Sequence, residues 1–308
     1  MAIRLKKKLA ILHKLETTYG TNSVPAAING ILAINPTLNL LEAEEVSRDL
    51  LLPYLGNQGV ILTGKFASIE FDVEVAGAGA AGTAPKYGSL LRVCGMAETV
   101  TASTRVTYSI VESGVESATL FFNQDGVQHV MLGCRGTVSV SFNAKGIPHF
   151  RFKITGLLGS IADAALPTFS QTGWTTPVEA NSGNTSSTLH GTAAVLESLS
   201  LDLGNTVTPR FLIGSESIII SDRKTTGTAV VEAGLVSDAD WFGRAIARTR
   251  GALSVVHGKT AGNIVEFAAP AVEIGRPSQG DTDGIVNYSL PLSLVPVAGR
   301  DELSIIVR

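Results

Sequence analysis

Aromatic residues make up only 6% of this 308-residue chain and charged residues only 17%, against 44% hydrophobic ones. So few charges are lean for a monomer kept in solution by its own surface, and they point to surface buried between subunits. Lys+Arg number 24 and Asp+Glu 27, a net charge of −3, so nothing predicts a protein that grips nucleic acid by neutralising its phosphates. Two cysteines, Cys94 and Cys134, allow one disulfide at most and show no ligand spacing, so both are expected to be free core thiols. No apolar run approaches the ~20 residues of a membrane-spanning helix. The basic start (Arg4, Lys6, Lys7, Lys8) leads into an apolar stretch, Leu9 to Leu12, that His13 and Lys14 stop. That is too short for a secretion signal, so neither secretion by the usual route nor a membrane is expected.

Chemistry-bearing motifs are also scarce. The five histidines form no HxH or HExxH pattern, His129 and His149 flank strands, and no GxSxG is present; no catalytic, metal or cofactor site is expected, and the chain does not read as an enzyme. Gly77-Ala-Gly79-Ala-Ala-Gly82 is a literal GxGxxG. A dinucleotide site needs those glycines to open a helix after a wholly apolar strand. Here the preceding strand alternates acids with apolar residues, and Pro85 and Gly88 follow, so a Gly/Ala loop between strand and helix is expected. Asp281-Thr-Asp283-Gly284 lacks the later acid of a calcium loop and reads as a hairpin turn.

What the sequence does have is alternation. Ile69, Phe71, Val73 and Val75 alternate with Ser68, Glu70, Asp72 and Glu74; Val138, Val140 and Phe142 with Thr137, Ser139 and Ser141; Phe150, Phe152 and Ile154 with Arg151, Lys153 and Thr155. A period of two puts each set on its own face of a strand. The links Asn123-Gln-Asp-Gly126 and Asn143-Ala-Lys-Gly146 carry hairpin residues. Tyr87 to Met96 and Asp238 to Arg248 are the helix candidates, the second with Asp238 or Asp240 as its cap and with Trp241 and Ile246 expected to face the sheet. The fold class is mainly β with few helices.

An internal repeat organises these pieces. Leu55 to Lys65 aligns without gaps with Ile213 to Arg223, and Phe71-Asp-Val-Glu74 then meets Ala229-Val-Val-Glu232. A helix candidate follows in each half, then a strand (Ala118 to Phe122 against Ala252 to Val256), a turn and two more strands. The expected layout is an arm and first strand over 1–35, a first module over 36–158, an extended linker over 159–190 and a second module over 191–308. Each module is an antiparallel sheet or partial barrel with one flanking helix.

Several runs, in this order, resemble bacteriophage tail tube proteins, the major tail proteins of long-tailed phages: Glu16-Thr-Thr-Tyr-Gly-Thr21, Arg48 to Gly56, Ala76 to Pro85, Leu90 to Glu98 and Leu196 to Gly204. The resemblance covers essentially the whole chain. It implies a structural virion protein whose sheets join around a ring, with rings stacked into a tube that conducts DNA. Rings of six modules are usual in the family, so two modules per chain imply three chains per ring. The resemblance also implies a strand through Leu9 to Leu15, where Leu5, Leu9 and Leu12 alone also fit a helical stripe. Further implied are tape measure, tail terminator and baseplate proteins as partners, transient non-specific passage of DNA, assembly in the host cytoplasm and residence in the virion tail. Glu70, Asp72, Glu74, Thr137, Ser139, Ser141, Arg151 and Lys153 are the candidates for the lumen. Asn57, Gly77, Gly79, Gly82, Pro85 and Trp174 lie in loops that are candidates for contacts between rings or subunits. The competing reading is a β-rich binding or adhesion module.

Overall fold

The computed structural model describes residues 3–308. The first half contains β1 (Leu9–Leu15), β2 (Gly30–Ile31), β3 (Ile34–Ser47), β4 (Val60–Glu74), α1 (Gly88–Val93), β5 (Met96–Thr101), β6 (Arg105–Ile110), β7 (Ala118–Gln124), β8 (Val127–Asn143) and β9 (His149–Asp163). The second contains β10 (Thr185–Leu189), β11 (Thr192–Ala193), β12 (Leu196–Asp202), β13 (Asn205–Leu212), β14 (Ser215–Arg223), β15 (Thr226–Glu232), α2 (Trp241–Ile246), β16 (Arg250–His257), β17 (Val265–Ile274), β18 (Ser278–Thr282), β19 (Ile285–Leu294) and β20 (Ser304–Val307). Among the described residues the protein is mainly β, with two α-helices of six residues each.

Pairing is antiparallel throughout. In the first half the strand order is β1-β7-β8-β9-β4-β3. In the second it is β10-β16-β17-β19-β15-β12. Each half lays down its strands in the same sequence and inserts its helix at the same point. Two joints fuse the halves: the end of β8 pairs with β12, and β20 bridges β17 to β6. Among the described residues the joined sheet does not close into a barrel within one chain.

The alternating residues divide between faces as their period requires. Phe71, Val73, Phe150, Phe152 and Ile154 are fully buried with Leu90, Leu91 and Val93 of α1, and the core continues through Leu201, Leu290, Val255 and Phe267 of the second half. Each such side chain contributes roughly 1.5–3 kcal/mol of burial. Phe150 lies 5.9 Å from Phe152 and 5.7 Å from Phe267, so aromatic packing crosses between the halves. Hairpins close where the sequence supplies left-handed residues: Asp125 (φ 34°) and Gly126 (φ 96°), then Asp283 (φ 54°) and Gly284 (φ 80°). Consecutive positive φ values match the right-handed twist of the flanking strands. Cys94 and Cys134 are both buried and free.

Expectation and structure differ in detail at two places, and at two others the structure decides between alternatives. Residues 159–190 are not all linker: β9 runs on to Asp163 because it gains β8 as a partner, and β10 starts at Thr185. The intervening chain is pinned, for instance by Ala180, whose N–H donates to Gly146 O at 2.8 Å. Ile246 does not face the sheet; it is 85% exposed while Trp241 is buried. Five residues of α-helix separate two side chains by about 140° of rotation, so both cannot lie on one face. The cap is Asp240, whose carboxylate accepts the Gly243 N–H at 2.7 Å. Leu9 to Leu15 is a strand.

Candidate lumen surface and assembly edges

The eight polar residues singled out as lumen candidates share one face of three adjacent strands. Glu70 stands opposite Lys153 and Asp72 opposite Arg151; beyond β9, Lys153 stands opposite Thr137, Arg151 opposite Ser139, and His149 opposite both Glu74 and Ser141. Residues directly opposite in an antiparallel pair share a face. Arg151 donates to Glu70 at 2.8 Å and to Asp72 at 3.2 Å, and Lys153 sits 3.3 Å from Glu70. These hydrogen bonds, Arg151 first and Lys153 after it, hold the Glu70 carboxyl below the usual carboxylate range. With the Arg151 side chain 48% exposed, solvent screens the pairs and each contributes little stability.

The face continues into the second half. Across the β8–β12 joint Ser139 stands opposite Asp202 and Ser141 opposite Ser200; further on, Asp202 meets Thr226 and Thr226 meets Ser293. One unbroken row, Asp72–Arg151–Ser139–Asp202–Thr226–Ser293, therefore crosses six strands with a polar side chain at every step. Arg151 on this row and Lys153 beside it are engaged by the carboxylates of Glu70 and Asp72. Asp202, Thr226 and Ser293 escaped the sequence reading. The Ser198-Leu-Ser-Leu-Asp202 alternation marks a strand, but nothing in it reveals that this strand continues the first half's sheet.

The candidate loop residues have varied surroundings. The Gly77–Gly82 segment is packed against the second half: Gly77 N–H donates to Asn263 Oδ1 at 2.6 Å and Gly79 N–H to Gly262 O at 2.9 Å. A Cβ on Gly77 would lie 2.1 Å from Gly262 O, which explains the glycine. These amides are committed within the chain, and the helix starts only at Gly88. Pro85 is buried, and Trp174 is half-buried with its Nε1–H 3.4 Å from Gly30 O. Asn57 is in the exposed β3–β4 loop, its Oδ1 accepting the Gly59 N–H at 2.7 Å.

Open strand edges and grooves remain, among them one of each at β3 and one of each near β18. The outer edge of β3 and that of β18 have no strand partner among the described residues. A groove of about 490 Å³ lies beside β3, lined by Lys7, Leu9, Ile11, Ile34, Glu74 and Phe169. A second, of about 590 Å³, lies between α2 and the end of β17, lined by Phe242, Ile246, Arg248, Glu273, Gly275 and Ser293. The β3–β4 hairpin projects Val46, Leu51, Leu55, Val60 and Ile61 into solvent.

Among the described residues no group of three or more His, Cys, Asp or Glu side chains is placed to hold a metal ion, and no helix is long and apolar enough to cross a membrane. No curated protein matches the chain. A family model described as phage tail tube protein matches residues 7–293, nearly its whole length and both strand sets. A sheet extended through both halves, with a polar face and unpaired edges, is thus found in a chain that belongs to the phage tail tube protein family.

Proposed function

We propose that this structural tail protein polymerises into stacked rings of three chains, each chain supplying two tandem modules, and that the polar row faces the lumen of the resulting tube. The observation that carries the reading is the equal strand order of the two halves, β1-β7-β8-β9-β4-β3 and β10-β16-β17-β19-β15-β12. Three chains of two units each give the six units of a ring. Closing such a ring gives partners to the open edges of β3 and β18, which are the liability an isolated sheet carries. A mixed wall with paired cations lets DNA pass without binding it, so the tube serves as a conduit for ejection from a long, non-contractile tail. The proposed partners are further copies of the chain, then the tape measure, terminator and baseplate proteins at the tube's ends.

Negative-stain microscopy of the purified chain at high concentration tests this reading. Hollow rings or tubes are expected. Dispersed particles of single-chain size would overturn it in favour of a binding module.

A further inference from the structure

The β8–β12 joint between the two halves has two parts. The first is a strand pair, in which Ser200 stands opposite Ser141 and Asp202 opposite Ser139. The second is the β13–β14 hairpin, which continues past that pair and lies on the first half. Ile218 is fully buried there, its N–H donates to Tyr19 Oη at 2.6 Å, and its carbonyl accepts from Arg135 at 2.8 Å. Asn205 Nδ2 donates to Cys94 O at 2.6 Å and Gly136 O at 3.0 Å.

The strand edges and the hairpin of this joint each exist a second time in the chain, unused. Glu74 pairs with His149 as Glu232 pairs with Asn287, which sets the correspondence between the halves. Thr37 faces Glu70 as Ser200 faces Thr228, and Asn39 faces Ser68 as Asp202 faces Thr226. Thr37 and Asn39 on the open edge of β3 therefore hold the places of Ser200 and Asp202. On the other side, Gly280 faces Asn287 as Ser141 faces His149, and Ser278 faces Ser289 as Ser139 faces Arg151. The open edge of β18 thus holds the place of the end of β8.

The grooves obey the same correspondence. Glu273 faces Ser293 in β19 as Arg135 faces Thr155 in β9, so the groove over Glu273, Gly275 and Ser293 lies where the first half receives the β13–β14 hairpin. The segment equivalent to β14 is the start of β4, where Val60 and Leu62 hold the places of Ile218 and Ile220. Val60 is 52% exposed, whereas Ile218 is fully buried.

We infer that a second copy of this chain occupies both features: its residues 35–39 add antiparallel to β18, with Thr37 opposite Gly280 and Asn39 opposite Ser278, and its β3–β4 hairpin seats Val60 and Leu62 in the groove between α2 and β17. This rests on the ring reading and specifies its chain-to-chain contact. The edge strand is built for a late partner. Where β8 carries Val140 and Phe142, β18 carries Gln279 and Asp281, polar residues that keep an unpaired edge from promiscuous pairing. Main-chain hydrogen bonds fix the register and the apolar hairpin supplies burial, the usual division in strand addition.

The test uses the full chain with N39C and S278C under polymerising conditions and a short bifunctional thiol cross-linker. The native thiols of Cys94 and Cys134 are buried. Most of the protein is expected to migrate as covalent multimers on a denaturing gel, whereas E45C with S278C, about 20 Å out of register, stays at background. The second variant, Val60→Asp, alters an exposed side chain; it is expected to melt as the parent does and to lose polymerisation at concentrations where the parent assembles. Tubes that form without the in-register cross-link, or with Val60→Asp unimpaired, overturn this contact and leave the tube reading standing. A parent chain that never assembles overturns both.

Discussion

Tyr19 Oη accepts the backbone N–H of Ile218 at 2.6 Å, a bond across 199 residues that fastens the second half's hairpin to the first half's arm. Arg135 stacks on the Tyr19 ring, 5.0 Å from its centroid, and burial raises the Tyr19 pKa above the usual phenol range. Tyr19→Phe removes the acceptor while keeping the ring, leaving a buried N–H unpaired. It is expected to cost about 1–3 kcal/mol in urea unfolding of the unassembled chain.

Glu16 fastens the same arm. Its carboxylate accepts from Gly20 N at 2.8 Å, Ser117 Oγ at 2.7 Å, Thr119 Oγ1 at 3.0 Å and Gly133 N at 2.9 Å. Glu16→Ala strands these donors and is expected to cost about 2–4 kcal/mol. Glu16→Gln is expected to lose part of that, since an amide replaces one acceptor oxygen with a donor facing donors. Thermal melts of both variants check the order.

Gly77→Ala is expected to lower the melting temperature by several degrees, because its Cβ meets backbone at 2.1 Å and Gly262 is itself held at a positive φ of 86°. The overpacking cost is about 1–3 kcal/mol. Ala78, next to it and half-buried, serves as the comparison site for a similar change in size.

Acid should destabilise the chain before its carboxylates titrate. His13 is enclosed, with Nδ1 3.1 Å from Ser89 Oγ, and burial lowers its pKa to about 3. His257 and His190 are lowered by burial as well. Above an unfolded pKa near 6.5 both states leave His13 neutral; as pH falls below it, only the unfolded chain takes the proton. Stability is therefore lost at about 1.4 kcal/mol per pH unit for this residue until the folded pKa is reached. His13→Asn should flatten the fall in denaturation midpoint between pH 7 and pH 5.

The parts of the fold that were legible in the sequence are those with strict alternation. Ser68 to Val75 and Phe150 to Ile154 announce a two-faced sheet, and the ungapped match of Leu55–Lys65 to Ile213–Arg223 aligns β4 with the β14–β15 run to the last residue, Glu74 against Glu232. What was not legible depends on partners distant in the chain. The stretch Gly156 to Asp163 lacks regular alternation and becomes strand only because β8 pairs with it. The glycines of Gly77–Gly82 suggest freedom, yet they are there for close packing against Gly262 and Asn263. The polar row was half visible: Glu70 to Lys153 announces itself, while Asp202, Thr226 and Ser293 join it only through the β8–β12 joint.

The decisive measurement is the symmetry of a single ring, read from averaged end-on views of the assembled tube or from the mass of a detached ring. Three chains around a hollow centre, with six similar lobes, are predicted. Six chains per ring, or a closed particle with no lumen, would contradict the proposed ring of three chains with two units each.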